Sequence, residues 1–263
     1  MCELLGISCN QPAAWGDTLT SFRKRGGETA DNPDGWGLAW REAGAWQLHK
    51  APEAAIHSGR FAALSQTIVT DLLIAHVRKA NPPGAFTMEN TYPFVRECCG
   101  RSWIFAHNGK VPEVTQPQGC CHPHKSRPQG ETDSEHAFYF LLDEITSMFS
   151  DTVTESSAIW LQKLAKLSED IASYGQFNFL MSDGDILIAY GHDRLHRLQC
   201  QHDDIKTTLL ASEPLSDDES WEIFQTGELQ VYREGKLIGS LETEPVLTHP
   251  SDKVNEGGRE RTI

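Results

Sequence analysis

The chain turns apolar at its third residue, and Glu3 to Cys9 (ELLGISC) reads as a short, largely buried strand. A strand that starts so close to an end pins that end instead of letting it fray. Whatever stands at position 2 is therefore held in a fixed place, and that residue is a cysteine.

Beyond this strand, Asp17 to Arg25 reads as a helix stopped by Gly26-Gly27. GWGLAWRE and AWQLHKA read as two strands joined by a glycine-containing turn, with Trp36 and Trp40 on one core-facing side. Residues 53 to 66 carry a weak helical pattern; DLLIAHVRKA and SWIFAHNGKV read as buried strands with polar ends. Pro112 to Gly130 has no periodicity and reads as a surface loop. EHAFYFLLDEITSMF and SSAIWLQKLAKLSEDIA then fit two amphipathic helices. Strands return at FNFLMSD, DILIAYG, TTLLASE, LQVYRE and KLIGSL, several bounded by Asp-Gly or Gly turns. Strands, a helical pair, then more strands predict an α+β protein with helices on the faces of mostly antiparallel sheets. One domain is expected over residues 2–248, followed by a polar tail at 249–263.

Composition removes several function classes. A net charge of −14 would repel a phosphate backbone, and Arg23-Lys24-Arg25 is the longest basic run, so nucleic acid is not an expected partner. No apolar run approaches the roughly 20 residues of a membrane-spanning helix, and the amino terminus lacks the basic and apolar regions of a signal peptide. A cytoplasmic location follows as the expectation, with seven mostly reduced cysteines. Cys9 and Cys200 suit buried packing. The vicinal Cys98 and Cys99 carry no recognisable role. Cys120, Cys121, His122 and His124 crowd one loop, but their spacing does not match paired zinc ligands, so neither metal nor cofactor is expected.

If Met1 is removed, the Cys2 thiol and the free α-amine occupy one residue. An unperturbed α-amine has a pKa of about 7.7–8.0, so a useful fraction is neutral at physiological pH and can take the thiol proton. Position alone fits an incidental cysteine better. Attack on a carboxamide also needs preorganised donors for the oxyanion. Asn108 can offer its side-chain amide and Gly109 its backbone N–H, although Asn-Gly also reads as a plain turn. Arg78 has the planar fork that pairs with a carboxylate. Asp133 could hold an ammonium; it also sits where Thr132 and Glu135 form a helix capping box. His76 and His107, each near one of these residues, fit packed strand histidines satisfied by backbone.

These pieces occur together and in order. Cys2 with its apolar strand, Arg25-Gly26, Asp34-Gly35-Trp36-Gly37, Ala75-His76-Val77-Arg78, His107-Asn108-Gly109 and Thr132-Asp133-Ser134-Glu135 resemble the class II glutamine amidotransferases. The strings MCELLG, RKRGG, DGWG, AHVRKAN, ENTYPF, AHNG and GETDSE are similar to the stand-alone YafJ-like branch, and the likeness continues weakly through LLASEPL to Trp221. The resemblance implies an Ntn-hydrolase four-layer αββα sandwich with two mostly antiparallel sheets. It implies Cys2 as nucleophile, Asn108 and Gly109 as oxyanion hole, Arg78 on the substrate α-carboxylate, Asp133 on its α-amine, and Arg25 supporting the nucleophile's surroundings. One departure stands out: many synthase-linked members have an aromatic residue and a Ser or Thr after the strand arginine, where this chain has Lys79 and Ala80.

The expected substrate is a small molecule, glutamine or another γ-glutamyl amide. The use of the released ammonia is left open between a separate ammonia-accepting synthase and hydrolysis with no partner. About 70 residues after the last strong motif read as sheet completing the fold, too few for a second catalytic domain. A non-catalytic binding module that kept the fold is the third reading, and an intact Met1 would favour it.

Overall fold

A computed structural model describes residues 1–80, 86–115, 128–148 and 157–246. Strand β1 (Glu3–Ala14) is buried over its first seven residues and lies inside a sheet, between β10 and β4. The elements that follow are α1 (Gly16–Lys24), β2 (Trp36–Glu42), β3 (Ala45–Ala51), α2 (Gly59–Thr67) and β4 (Val69–Val77). Next come β5 (Phe94–Cys98), β6 (Arg101–Lys110), α3 (Asp133–Thr146) and α4 (Ser157–Ala172). The last are β7 (Gln176–Ser182), β8 (Leu187–Gly191), β9 (His196–His202), β10 (Ile205–Ala211), β11 (Glu222–Ile223), β12 (Glu228–Arg233) and β13 (Lys236–Glu242).

These strands form two antiparallel sheets, one ordered β11-β9-β10-β1-β4-β2-β3 and the other β13-β12-β8-β7-β6-β5. Side-chain alternation sorts each strand's residues between two layers. On β1, Leu5 and Ile7 join Trp36, Trp40, Leu73 and Ala75 in a core under α1 and α2. Leu4 joins Ile74, Ile104, Ala106 and Leu180 in a second core between the sheets. On the far side, Phe105, Phe177 and Phe179 pack beneath α3 and α4, with Phe105 and Phe138 stacked at 5.1 Å. The result is the four-layer αββα sandwich, and Trp36 and Trp40 fill the core face expected of them.

Three strands escape the sequence reading. β5 and the two-residue β11 lie at sheet edges, and β9 is covered by β11 over only two residues, so their patterns are too polar to announce a strand. Residues 199–204 around the β9–β10 turn are exposed as a block. Cys200 is accordingly exposed and not packed, whereas Cys9 is buried against Thr207. Glu135 departs in a smaller way. Thr132 Oγ1 caps Glu135 N at 3.2 Å, but the Glu135 carboxylate reaches past the capping residue to Gln129 N and Gly130 N. The Cys120, Cys121, His122 and His124 cluster and the tail at 249–263 lie outside the described residues.

Two glycines permit the close approach of chain segments near the amino terminus. A Cβ on Gly6 would lie 3.0 Å from Leu180 Cδ1, the movable end of a side chain, whereas a Cβ on Gly37 would lie 2.0 Å from Tyr92 O. The same added carbon therefore has different costs. Gly6→Ala should lower stability by about 1 kcal/mol and Gly37→Ala by about 3 kcal/mol or more. Urea midpoints of the two variants check this, and equal losses would contradict it.

Candidate active site

Cys2 projects from the first residue before β1, and its sulfur is bracketed by the backbone of Lys79, which runs on from β4. Lys79 N donates to Cys2 Sγ at 3.2 Å, and the thiol donates to Lys79 O at 3.4 Å. Burial pushes the thiol's pKa up, opposed by the Lys79 hydrogen bond and the Arg78 charge. Met1, which precedes Cys2, is 48% exposed.

The segment that brackets the sulfur is held by the Asp-Gly-Trp-Gly motif. Arg78 N donates to Gly35 O, Asp34 N to Arg78 O, and Ala80 N to Asp34 Oδ2 at 2.8 Å. This motif thus continues β4 past its last residue, and Arg78 comes to lie buried beside the thiol. Arg25, just past α1, sits one residue further along the amino-terminal strand. Its Nε lies 3.8 Å from the buried Glu3 carboxylate, and it donates to Pro214 O at 2.9 Å. The guanidinium is thus tied to Glu3, the residue next to Cys2.

Asn108 reaches the same place from the other sheet. Its Nδ2 donates to Ser212 Oγ at 2.9 Å, and the same oxygen accepts Leu4 N, also at 2.9 Å. Ser212 N in turn donates to Leu4 O at 3.1 Å. One hydroxyl therefore joins the strand that follows Cys2 to the Asn108 amide, using one of the two Nδ2 hydrogens. Asn108 Oδ1 is buried with no hydrogen-bond partner among the described residues. Gly109 follows with φ 150°, and a Cβ there would fall 1.9 Å from Gln176 O, so only glycine fits.

Asp133 opens α3 and accepts Val111 N at 2.7 Å, which ties the helix to the end of β6. Behind it runs a buried chain of polar groups. Tyr92 donates its hydroxyl hydrogen to Ser134 Oγ at 2.6 Å, and Ser134 Oγ lies 2.7 Å from His107 Nδ1. His107 Nε2 lies 3.1 Å from Gln176 O, which can only accept, so Nε2 carries the hydrogen and Nδ1 accepts from Ser134. Burial, together with the charges of both Asp133 and Cys2, pushes the Tyr92 phenol up. Tyr92 therefore stands within electrostatic reach of the thiol and the carboxylate alike. The motifs also interlock: Glu131 N donates to Asn90 Oδ1, and a Cβ on Gly130 would lie 2.4 Å from that oxygen.

Cys2, Arg78, Asn108, Gly109 and Asp133 thus belong to one connected region, with Arg25 one shell out. Sequence reasoning missed Ser212, Tyr92 and Ser134 as parts of it. All three stand inside strings read as family-like, but a serine or tyrosine at a strand end has no spacing that signals its partner. His107 is satisfied by backbone and Ser134, as expected of a packed strand histidine. His76 is not: neither ring nitrogen has a hydrogen-bond partner among the described residues, and the ring stacks on Tyr92 at 4.3 Å. Among the described residues, no group of three or more His, Cys, Asp or Glu could hold a metal, and no helix is long and apolar enough to cross a membrane.

The family model for class II glutamine amidotransferases matches residues 1–203 and 199–256. The chain belongs to that family. As a class II glutamine amidotransferase relative, it is similar to YafJ of Escherichia coli K12, with 32% identity covering 90% of this chain and all of YafJ. The crystal structure of a predicted glutamine amidotransferase from Pseudomonas aeruginosa matches with TM-score 0.67 and 30% identity, covering 90% of this chain and all of that one. The glutamine phosphoribosylpyrophosphate amidotransferase of Bacillus subtilis shares the fold at TM-score 0.61 and 20% identity; the match covers 92% of this chain and 49% of that enzyme.

In this member of the family, burial, the Arg78 charge and the neighbouring His107 hold the His76 pKa down at about 3, against an ordinary value near 6.5. The unfolded state therefore binds the extra proton first, and stability present above about pH 6.5 is lost as pH falls toward 3. His76→Phe keeps an aromatic ring against Tyr92 and removes the titration. The wild type should lose more stability than His76→Phe between pH 7 and pH 4.5, measured by urea midpoints. Parallel losses would contradict the assignment. Ser212→Ala leaves Leu4 N–H buried and unpaired, and should cost about 1–3 kcal/mol in the same assay at pH 7.

Proposed function

We propose that the protein is an amidohydrolase that cleaves the side-chain amide of glutamine, or of another γ-glutamyl compound, through a Cys2 γ-glutamyl thioester. The observation that carries this reading is the shared Ser212 hydroxyl. It couples the strand bearing the nucleophile to Asn108 Nδ2 and leaves the amide's second hydrogen for a ligand.

In this reading Met1 is removed, and the Cys2 amine becomes the base. Its neutral form takes the thiol proton while Sγ attacks the γ-carbonyl carbon. Asn108 Nδ2 and Gly109 N–H stabilise the oxyanion. The intermediate collapses by breaking the C–N bond, and the ammonium returns the proton to the departing nitrogen. Water then attacks the thioester, the amine takes one of its protons, and the expelled thiolate regains it as glutamate leaves. Arg78 pairs with the substrate α-carboxylate and Asp133 with its α-ammonium. A thiol pushed up by burial is a poor nucleophile unaided, which is why a base on the same residue matters.

The step needs no metal or organic cofactor. The ammonia released from glutamine would pass to a separate synthase where one exists, and to solvent otherwise.

Cys2→Ala should abolish glutamate release from glutamine while leaving the circular dichroism spectrum and urea midpoint near those of the wild type. Asn108→Ala should lower kcat by about 10²–10³. Appreciable turnover by the Cys2→Ala protein would exclude this nucleophile.

A further inference from the structure

The residue whose backbone brackets the sulfur carries a cation to the surface. Lys79 N and O both meet Cys2 Sγ, so its side chain leaves the backbone beside the nucleophile. Its ammonium pairs with Asp31 Oδ2 at 2.6 Å, and the two side chains are 38% and 80% exposed. This hydrogen bond raises the Lys79 pKa and lowers that of Asp31, so both are charged at neutral pH. The nearby Asp34 carboxylate is already engaged by Ala80 N.

The charges around Cys2 are thus graded from inside to outside. Arg78 is buried, whereas Lys79 and Asp31 stand in solvent. A γ-glutamyl substrate that puts its α-carboxylate on Arg78 has its glutamyl end in the buried half. Whatever is attached to the amide nitrogen would then leave toward solvent, the side on which Lys79 and Asp31 are exposed. We propose that Lys79 is a specificity determinant for γ-glutamyl amides whose leaving amine bears a carboxylate, γ-glutamyl amino acids and peptides, with Asp31 occupying the carboxylate's place in the free protein. The inference rests on the thioester reading above and names the substrate class within it.

Chemistry favours the exchange. An exposed ion pair is weak and readily traded for another of the same kind. A substrate carboxylate displaces Asp31 and gains an ammonium already held in position. A neutral amine, or ammonia itself, makes no such contact.

The test compares glutamate release by the full-length protein from γ-glutamylglycine, γ-glutamylmethylamide and glutamine. The wild type should prefer γ-glutamylglycine over γ-glutamylmethylamide by about fivefold or more in kcat/KM, and the preference should shrink as salt is raised. Lys79→Met should bring the ratio near one, and Asp31→Asn should widen it by removing the competitor. A ratio that neither substitution moves overturns the specificity role while leaving the thioester chemistry standing. If none of the three compounds releases glutamate, the underlying reading of the site falls as well.

Discussion

The Ser212 hydroxyl is where the two sheets meet at the site. It accepts a hydrogen from Leu4 N on the strand that follows Cys2 and another from Asn108 Nδ2 on the opposite sheet. Both donors are buried, and a buried donor without a partner is expensive, so the hydroxyl holds the sheets in register at that point. Everything else is arranged around this tie. Leu4, Ile104 and Leu180 close the inter-sheet core beneath it. Gly6 and Gly37 let neighbouring segments close in.

Burial sets the chemistry as well as the fold. The same desolvation that raises the Cys2 thiol also keeps His76 and His107 neutral. A neutral His107 can accept from Ser134 and donate to Gln176 O at the same time, giving a hydrogen-bond chain with one direction from Tyr92 to the β7 backbone. That chain runs beside Asp133 and the His107-Asn108-Gly109 end of β6, fixing both without placing a charge between them. Of the charges around the site, Arg78 and Glu3 are buried, and Lys79 with Asp31 stands in solvent.

Much of this was legible in the sequence. The apolar run after Cys2 announced a strand fixed at the terminus, Trp36 and Trp40 announced a core face, and two amphipathic patterns announced α3 and α4. The ordered motifs announced the family and its sandwich, because each motif carries a residue type that its chemistry or backbone conformation demands. Gly109 is the clearest case, since no side chain fits against Gln176 O. What stayed hidden depends on partners distant in the chain. Ser212 is 208 residues from Leu4 and 104 from Asn108, and nothing local to a serine after a strand reveals that pairing. The polar strands β5 and β9 were hidden because strands at or near a sheet edge have little apolar face to display, and exposed Cys200 was misjudged for the same reason.

The central claim is that Cys2, once Met1 is gone, forms an acyl bond to the γ-carbonyl of its substrate. Acid-quenched turnover mixtures analysed by peptide mass spectrometry test it most directly. The account predicts an amino-terminal peptide that begins at Cys2 and is heavier by one γ-glutamyl group, with the extra mass lost on treatment with hydroxylamine, which cleaves thioesters. A terminal peptide that retains Met1 during turnover, or a γ-glutamyl group on any other residue, would contradict it.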